Sequence, residues 1–185
     1  MAGHVYNFEN PDRFVAGAIG QAGSRTFYLQ ARDAGRLVSV LLEKVQVTLL
    51  AERLGELLAE VRQRGAGVPE EPAANEIDSA PLEEPIDELF RVGTMAIVWD
   101  GEDETILVEA REITEQDEEP EASGQADEEE GESDVVRVRL RPAQALAFSQ
   151  RALEVVAAGR PPCPFCGQPL NPEGHICARR NGFMH

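Results

Sequence analysis

The sequence predicts an α+β fold: two pseudo-repeated β-β-β-α units with an antiparallel sheet and helices on one face, plus a small C-terminal zinc-binding tail. Three observations lead there. Matching landmarks occur in the same order in both halves of the chain. The apolar period changes from two to three-and-four at corresponding places. All three cysteines and two of the three histidines fall after residue 162.

The landmarks begin with "FVAG" at 14–17, matched by "FRVG" at 90–93. "TFYLQAR" at 26–32 is matched by "TILVEAR" at 105–111, and "LLEKVQVTLLAER" at 41–53 by "RLRPAQALAFSQR" at 139–151. The last pair sets Leu42 on Leu140, Gln46 on Gln144 and Arg53 on Arg151. Such internal similarity is the mark of a repeated structural unit.

Each unit opens with two strands joined by a turn, "GQAGS" in the first and "DGEDE" in the second. Phe27, Leu29 and Ala31 alternate with Thr26, Tyr28 and Gln30, the period of a half-buried strand, and Ile106, Val108 and Ala110 repeat it. A third strand follows, "RLVSVLLE" and then "VVRVRLR". Helices end the units. Val47, Leu50, Leu54, Leu57, Leu58 and Val61 make one apolar helical face over 45–62. Pro142 suits the first turn of the second helix, and Gly65 and Gly159 stand where helices stop. The predicted organisation is a first unit at 1–64, an acidic, Pro-rich linker at 65–89, a second unit at 90–159 and the zinc-binding tail at 160–185.

The formal charge of −17 is unevenly spread. Residues 68–88 hold eight acids and 112–134 hold twelve, with no base in either, which leaves 14 acids against 17 bases elsewhere. The acidity therefore belongs to two connections, and the body is near neutral. The second run, 114–134, replaces the short turn "RDAGR" of unit one. It reads as a disordered hairpin loop, a spacer or a docking loop for a basic partner, because it has almost nothing apolar to bury.

In the tail, Cys163 and Cys166 form C-P-x-C-G, which puts two thiolates at one tight turn. His175 and Cys177 are two apart, so an extended segment directs both to one side. Together Cys163, Cys166, His175 and Cys177 make a closed Cys3His set for a structural Zn²⁺. A zinc deaminase needs an H-x-E motif, and the sequence has none. Arg179, Arg180 and Phe183 could contact nucleic acid, but they are a thin surface for it, and docking on the body is preferred.

Arg137, Arg139 and Arg141 alternate with apolar residues as a basic stripe, which reads first as a solvated strand face. With the matched pair Arg32 and Arg111 they form a candidate anion or partner site. "GQAGSR" at 20–25 reads as a plain hairpin turn rather than a phosphate cradle, since no helix follows it. No apolar h-region opens the chain and no apolar run is long enough to span a bilayer, which points to the cytoplasm and away from membranes.

"HVYNFENPDRFVAGAIGQAGSRTFYLQAR", the Gln46 helix and "CPFCGQPLNPEGHICARRNGF" resemble an uncharacterised actinobacterial family, a domain of unknown function. The resemblance covers almost all of the chain outside the acidic segments. It implies an intracellular bacterial protein and carries no catalytic residue.

The function expected is a non-catalytic adaptor working through an unidentified protein partner. The alternatives are an enzyme or phosphate- or nucleotide-handling protein using arginines between the units, and RNA binding through the tail.

Overall fold

The computed structural model describes residues 2–115, 133–159 and 163–167. Among them are seven strands and two helices: β1 (Val5–Phe8), β2 (Arg13–Ile19), β3 (Thr26–Asp33), β4 (Arg36–Leu42), α1 (Lys44–Gln63), β5 (Glu88–Asp100), β6 (Thr105–Glu112), β7 (Val135–Leu140) and α2 (Pro142–Ala157). The strands form one sheet in the order β1-β7-β6-β5-β4-β3-β2.

The sheet is mixed, which corrects the expectation of an antiparallel one. β4 pairs parallel with β5 at Ser39–Glu88 and Leu41–Arg91, and β1 pairs parallel with β7 from Val5–Val135 to Phe8–Val138. The other ladders are antiparallel. A parallel neighbour needs a crossover, and α1 with the linker supplies one between β4 and β5. Residue periodicity carries no strand direction, so this was invisible in the sequence. β1 was also missed, its four residues "VYNF" being too short for a periodic signal.

Both halves show one pairing scheme. β5 first pairs parallel with β4, then from Val92 onward antiparallel with β6. β1 pairs parallel with β7, and after the break at 9–12, β2 pairs antiparallel with β3. Phe8 and Phe90 hold similar buried places beside these parallel ladders.

The sheet must curl. β1 and β2 are its opposite edges, yet only residues 9–12 join them. Five Cα steps reach about 19 Å at most, whereas six flat strand spacings cover about 29 Å. Consistent with this, Arg36 on β4 donates to the Asn7 carbonyl and lies 4.3 Å from the Phe8 ring centre.

The apolar faces of the strands and both helices share one core. Phe14 and Ala16 on β2 face the same way as Ala31 and Leu29 on β3, as their register requires. In α1, Leu54 and Leu58 are completely buried. The helices pack on each other, and Ser149 Oγ donates to the Ala51 carbonyl at 2.7 Å. α2 also crosses β2, where Phe148 stacks on Phe14 at 4.5 Å. Pro142 opens α2, and Gly65, at φ +96°, follows the end of α1 in the left-handed conformation that glycine tolerates.

The matched glutamines both sit in first turns. Gln46 accepts from the Glu43 N–H at 2.8 Å and donates to the Val92 carbonyl at 3.0 Å. Gln144 donates to the Pro11 carbonyl at 3.0 Å. Each helix thus ties its start to the other half of the chain.

Candidate functional site

The tail is described only at Cys163–Gly167. Here the chain makes a tight turn: the Gly167 N–H donates to the Cys163 carbonyl at 2.9 Å, and the Phe165 N–H points at Cys163 Sγ at 3.5 Å. Gly167 has φ +74°. An N–H aimed at sulfur suits a thiolate, which is an acceptor. Cys163 is buried and Phe165 is exposed. His175, Cys177, Arg179, Arg180 and Phe183 lie outside the described residues, as does most of the acidic loop. Among the described residues no group of three or more His, Cys, Asp or Glu side chains could hold a metal.

The candidate arginines do not meet at one place. Arg111 and Arg137 share Glu109, at 2.6 and 2.9 Å. Arg139 pairs with Glu9 at 3.0 Å and Asp100 at 3.1 Å. These contacts hold its guanidinium above the ordinary range, Glu9 being the larger cause and Asp100 the next. Arg141 lies past the strand, caps α2 and binds Glu76 at 2.7 Å. Arg32 is three strands away from Arg111 in the sheet, and pairs with Asp12 at 2.9 Å and Glu83 at 2.5 Å. The matched Arg53 only makes a surface pair with Glu56.

A different cluster does converge. The linker runs as a strap along the outer face and edge of β2. Arg13 Nε donates to Asp78 Oδ2 at 2.6 Å, and its Nη2 donates to Asp78 Oδ1 at 3.1 Å and to the carbonyls of Ala80 and Pro81 at 3.0 and 2.9 Å. From α2, Arg151 Nη1 donates to the Asp78 carbonyl at 2.6 Å and Nη2 to that of Ala80 at 2.8 Å. Its Nε binds the Ala16 carbonyl on the edge of β2 at 3.0 Å. The Arg13 hydrogen bond holds the Asp78 carboxyl below the usual range, although burial opposes it. Burial pushes Arg151 down, while the Asp78 charge pulls it back.

Farther along the strap, Gln30 and Glu83 bond backbone to amide in both directions, and Leu82 lies over Gly17. Gln30 and Ser39 are buried on the sheet face opposite the core, where Gln30 bonds both Ser39 and the strap. A groove of about 630 Å³ opens between strap and α2, with Ile19, Arg25, Ile77, Leu82 and Arg151 in its walls. A hollow of about 340 Å³ lies across the Arg13–Asp78 contact. Sequence reasoning noticed Arg151 and missed Arg13, Gln30, Asp78 and Glu83. No local signal marked them, since Gln30 reads as an ordinary polar position of the β3 alternation and the acids as part of a solvated connection.

This arrangement grips a peptide backbone and a carboxylate. The guanidinium donors that a free phosphate would use are largely engaged by the carbonyls of Asp78, Ala80 and Pro81 and by the Asp78 carboxylate.

No curated protein and no solved structure matches the chain. A family model does, over residues 6–177, its description being a protein of unknown function, DUF3090. That span takes in every strand but the first residue of β1, both helices, the strap and all four candidate metal ligands, and so the chain belongs to the DUF3090 family.

Proposed function

We propose that this chain is a non-catalytic adaptor of the bacterial, and specifically actinobacterial, cytoplasm, acting through a protein partner and carrying a structural zinc in its tail. The observation that carries the adaptor reading is the way the arginines are used. Arg32, Arg139 and Arg141 are each paired with the chain's own carboxylates, and Arg111 and Arg137 share one, Glu109. Arg13 and Arg151 hold backbone. That pattern favours peptide contact over phosphate or nucleotide handling.

The zinc reading takes its support from the Cys163–Gly167 turn. Its sulfur-directed N–H and left-handed glycine suit a two-thiolate corner of a tetrahedral site. His175 and Cys177 would complete it. The duplication reading takes its support from the shared pairing scheme, in which β1 with β2 does in one half what β5 does in the other. On that scheme Phe8, rather than Phe14, is the counterpart of Phe90.

Affinity capture of the full chain from native lysate, with mass spectrometry of proteins and small molecules, tests the adaptor. A specific protein recovered in near-stoichiometric amount is expected. Recovery of a phosphorylated metabolite with no protein would move the assignment to the phosphate-handling class.

A further inference from the structure

The connection from α1 to β5 takes a longer route than the fold needs. α1 already packs against β5, and β5 lies beside β4. Yet residues 64–87 travel out to β2, three strands from β5, and then return. Three spacings are about 14 Å each way. Connections in compact domains are commonly about 4–6 residues, and much longer ones tend to be functional.

The strap and its receiving surface are asymmetric. Val68 joins the core, but no residue from 69 to 87 is buried, so the strap beyond Val68 adds little to the core. The surface beneath it is buried and largely polar: Gln30 is 1% exposed, Ser39 2% and Arg13 9%, with Val15 among them. The polar side chains address backbone groups. Gln30 accepts from the Glu83 N–H and donates to its carbonyl, and Arg13 and Arg151 donate to the carbonyls of Asp78, Ala80 and Pro81. Backbone contact gives affinity, while pockets for particular side chains give selectivity. Three such places occur here: the two-arginine clamp on Asp78, the bare Gly17 under Leu82, and Arg32 on Glu83.

We propose that the outer face of β2 and β3 is a peptide-binding groove that holds residues 78–83 as a ligand in cis, and that its partner is an extended acidic peptide of the form Asp-x-x-x-Leu-Glu. The proposal rests on the adaptor reading for its use and names the partner class that this reading leaves open. Two arginines face one strap aspartate, so a carboxylate is the side chain the clamp selects. The tethered copy acts at an effective concentration on the order of millimolar, which keeps weak competitors out. A partner must therefore outbid it or be presented in several copies.

The test uses full-length protein and a fluorescein-labelled peptide copying residues 75–86. In one variant the strap is weakened at constant length by Asp78→Ala, Leu82→Gly and Glu83→Ala together. Anisotropy should show saturable binding to this variant and none to wild type. Adding Arg13→Gln, or changing the peptide's aspartate to alanine, should weaken binding by about tenfold or more, as loss of a charge-assisted bond does. A weakened-strap variant that unfolds cooperatively, keeps the wild-type circular dichroism and binds no peptide overturns the proposal. If that variant does not fold, hydrogen exchange on wild type decides. The Glu83 amide should exchange through a local opening well before the amides of β3, and exchange only with global unfolding overturns the groove. Lysate capture of a partner that is indifferent to Arg13→Gln would leave the adaptor standing and sink the groove. Peptide binding without any captured partner would do the reverse.

Discussion

Gln30 and Glu83 are bonded to each other twice, through the two ends of one side-chain amide. The Glu83 N–H donates to Gln30 Oε1 at 2.9 Å, and Gln30 Nε2 donates to the Glu83 carbonyl at 3.0 Å and to Ser39 Oγ at 3.1 Å. Gln30 thus replaces a strand neighbour for a segment that forms no ladder. Gln30→Leu leaves two backbone groups and a hydroxyl unpaired in a covered place, which should cost about 1–3 kcal/mol. Urea unfolding should show a lower midpoint with an unchanged slope. An unaltered midpoint would mean that water replaces the amide without loss.

Gly17 and Leu82 make a second such pair. A Cβ on Gly17 would come within 2.5 Å of Leu82 Cγ. Gly17→Ala should destabilise by about 1–3 kcal/mol through overpacking. Because the clash is with a side chain, Leu82→Ala should relieve it, and the double variant should be more stable than the sum of the singles. Additive losses would place the cost of Gly17→Ala in the β2 backbone instead.

Asp78 couples the strap to pH. Its folded pKa lies below the unfolded value, chiefly through the Arg13 bond. Its stabilisation is therefore complete above the unfolded carboxylate pKa of about 3.9 and is lost as pH falls through the folded one. Asp78→Asn should cost about 1 kcal/mol at neutral pH, the low side for a charge-assisted contact, because the side chain is 30% exposed and screened. The gap between wild type and variant should close below about pH 4 in thermal scans. A gap that is constant with pH would assign the loss to shape rather than charge.

Much of the body was legible because it obeys local rules. The alternation of Phe27, Leu29 and Ala31 marked the core face of β3, and the three-four spacing of Leu50, Leu54 and Leu58 marked α1. Strand direction was not legible, since the parallel β4–β5 contact arises from where a crossover lands. β1 was too short to declare itself. The clamp was hidden for another reason. Asp78 and Glu83 look like two more acids in a solvated connection until Arg13 and Arg32 are brought opposite them by tertiary structure. Gln30, read as a polar strand position, gave no sign that its face was covered.

The acidic hairpin connection begins and ends on a closed ladder. Arg111 pairs with Val135, and the Glu112 N–H donates to the Asp134 carbonyl at 2.8 Å. Replacing residues 116–132 with a short Gly-rich turn should leave the thermal midpoint nearly unchanged, since loop length costs stability only slowly. A large fall in midpoint would reveal packing of that segment on the body. A lost lysate partner at unchanged midpoint would identify it as a docking loop.

The tail prediction rests on the turn at Cys163–Gly167. There the Phe165 N–H is directed to Cys163 Sγ and Gly167 is left-handed, a turn that would suit Cys163 and Cys166 as the first two ligands. His175 and Cys177 are spaced to bring the other two, joined by a connection containing Pro169, Pro172 and Gly174. Protein purified without added metal should carry about one zinc per chain by elemental analysis, as a closed four-ligand site does. Cys166→Ser should lose the metal and make the tail protease-sensitive. The midpoint of the body should barely move, because the core cluster around Leu54, Ile106 and Leu140 is drawn from residues 8–152. His175→Cys should keep zinc, since a thiolate can replace imidazole in a closed structural site. So small a segment has little apolar surface of its own, and metal binding would be coupled to its folding. Chelation should therefore expose the tail to protease at the same rate as Cys166→Ser does. Metal-free protein whose tail resists protease as well as the loaded form would overturn the zinc assignment. Bound zinc with water as a fourth ligand would overturn its structural role instead.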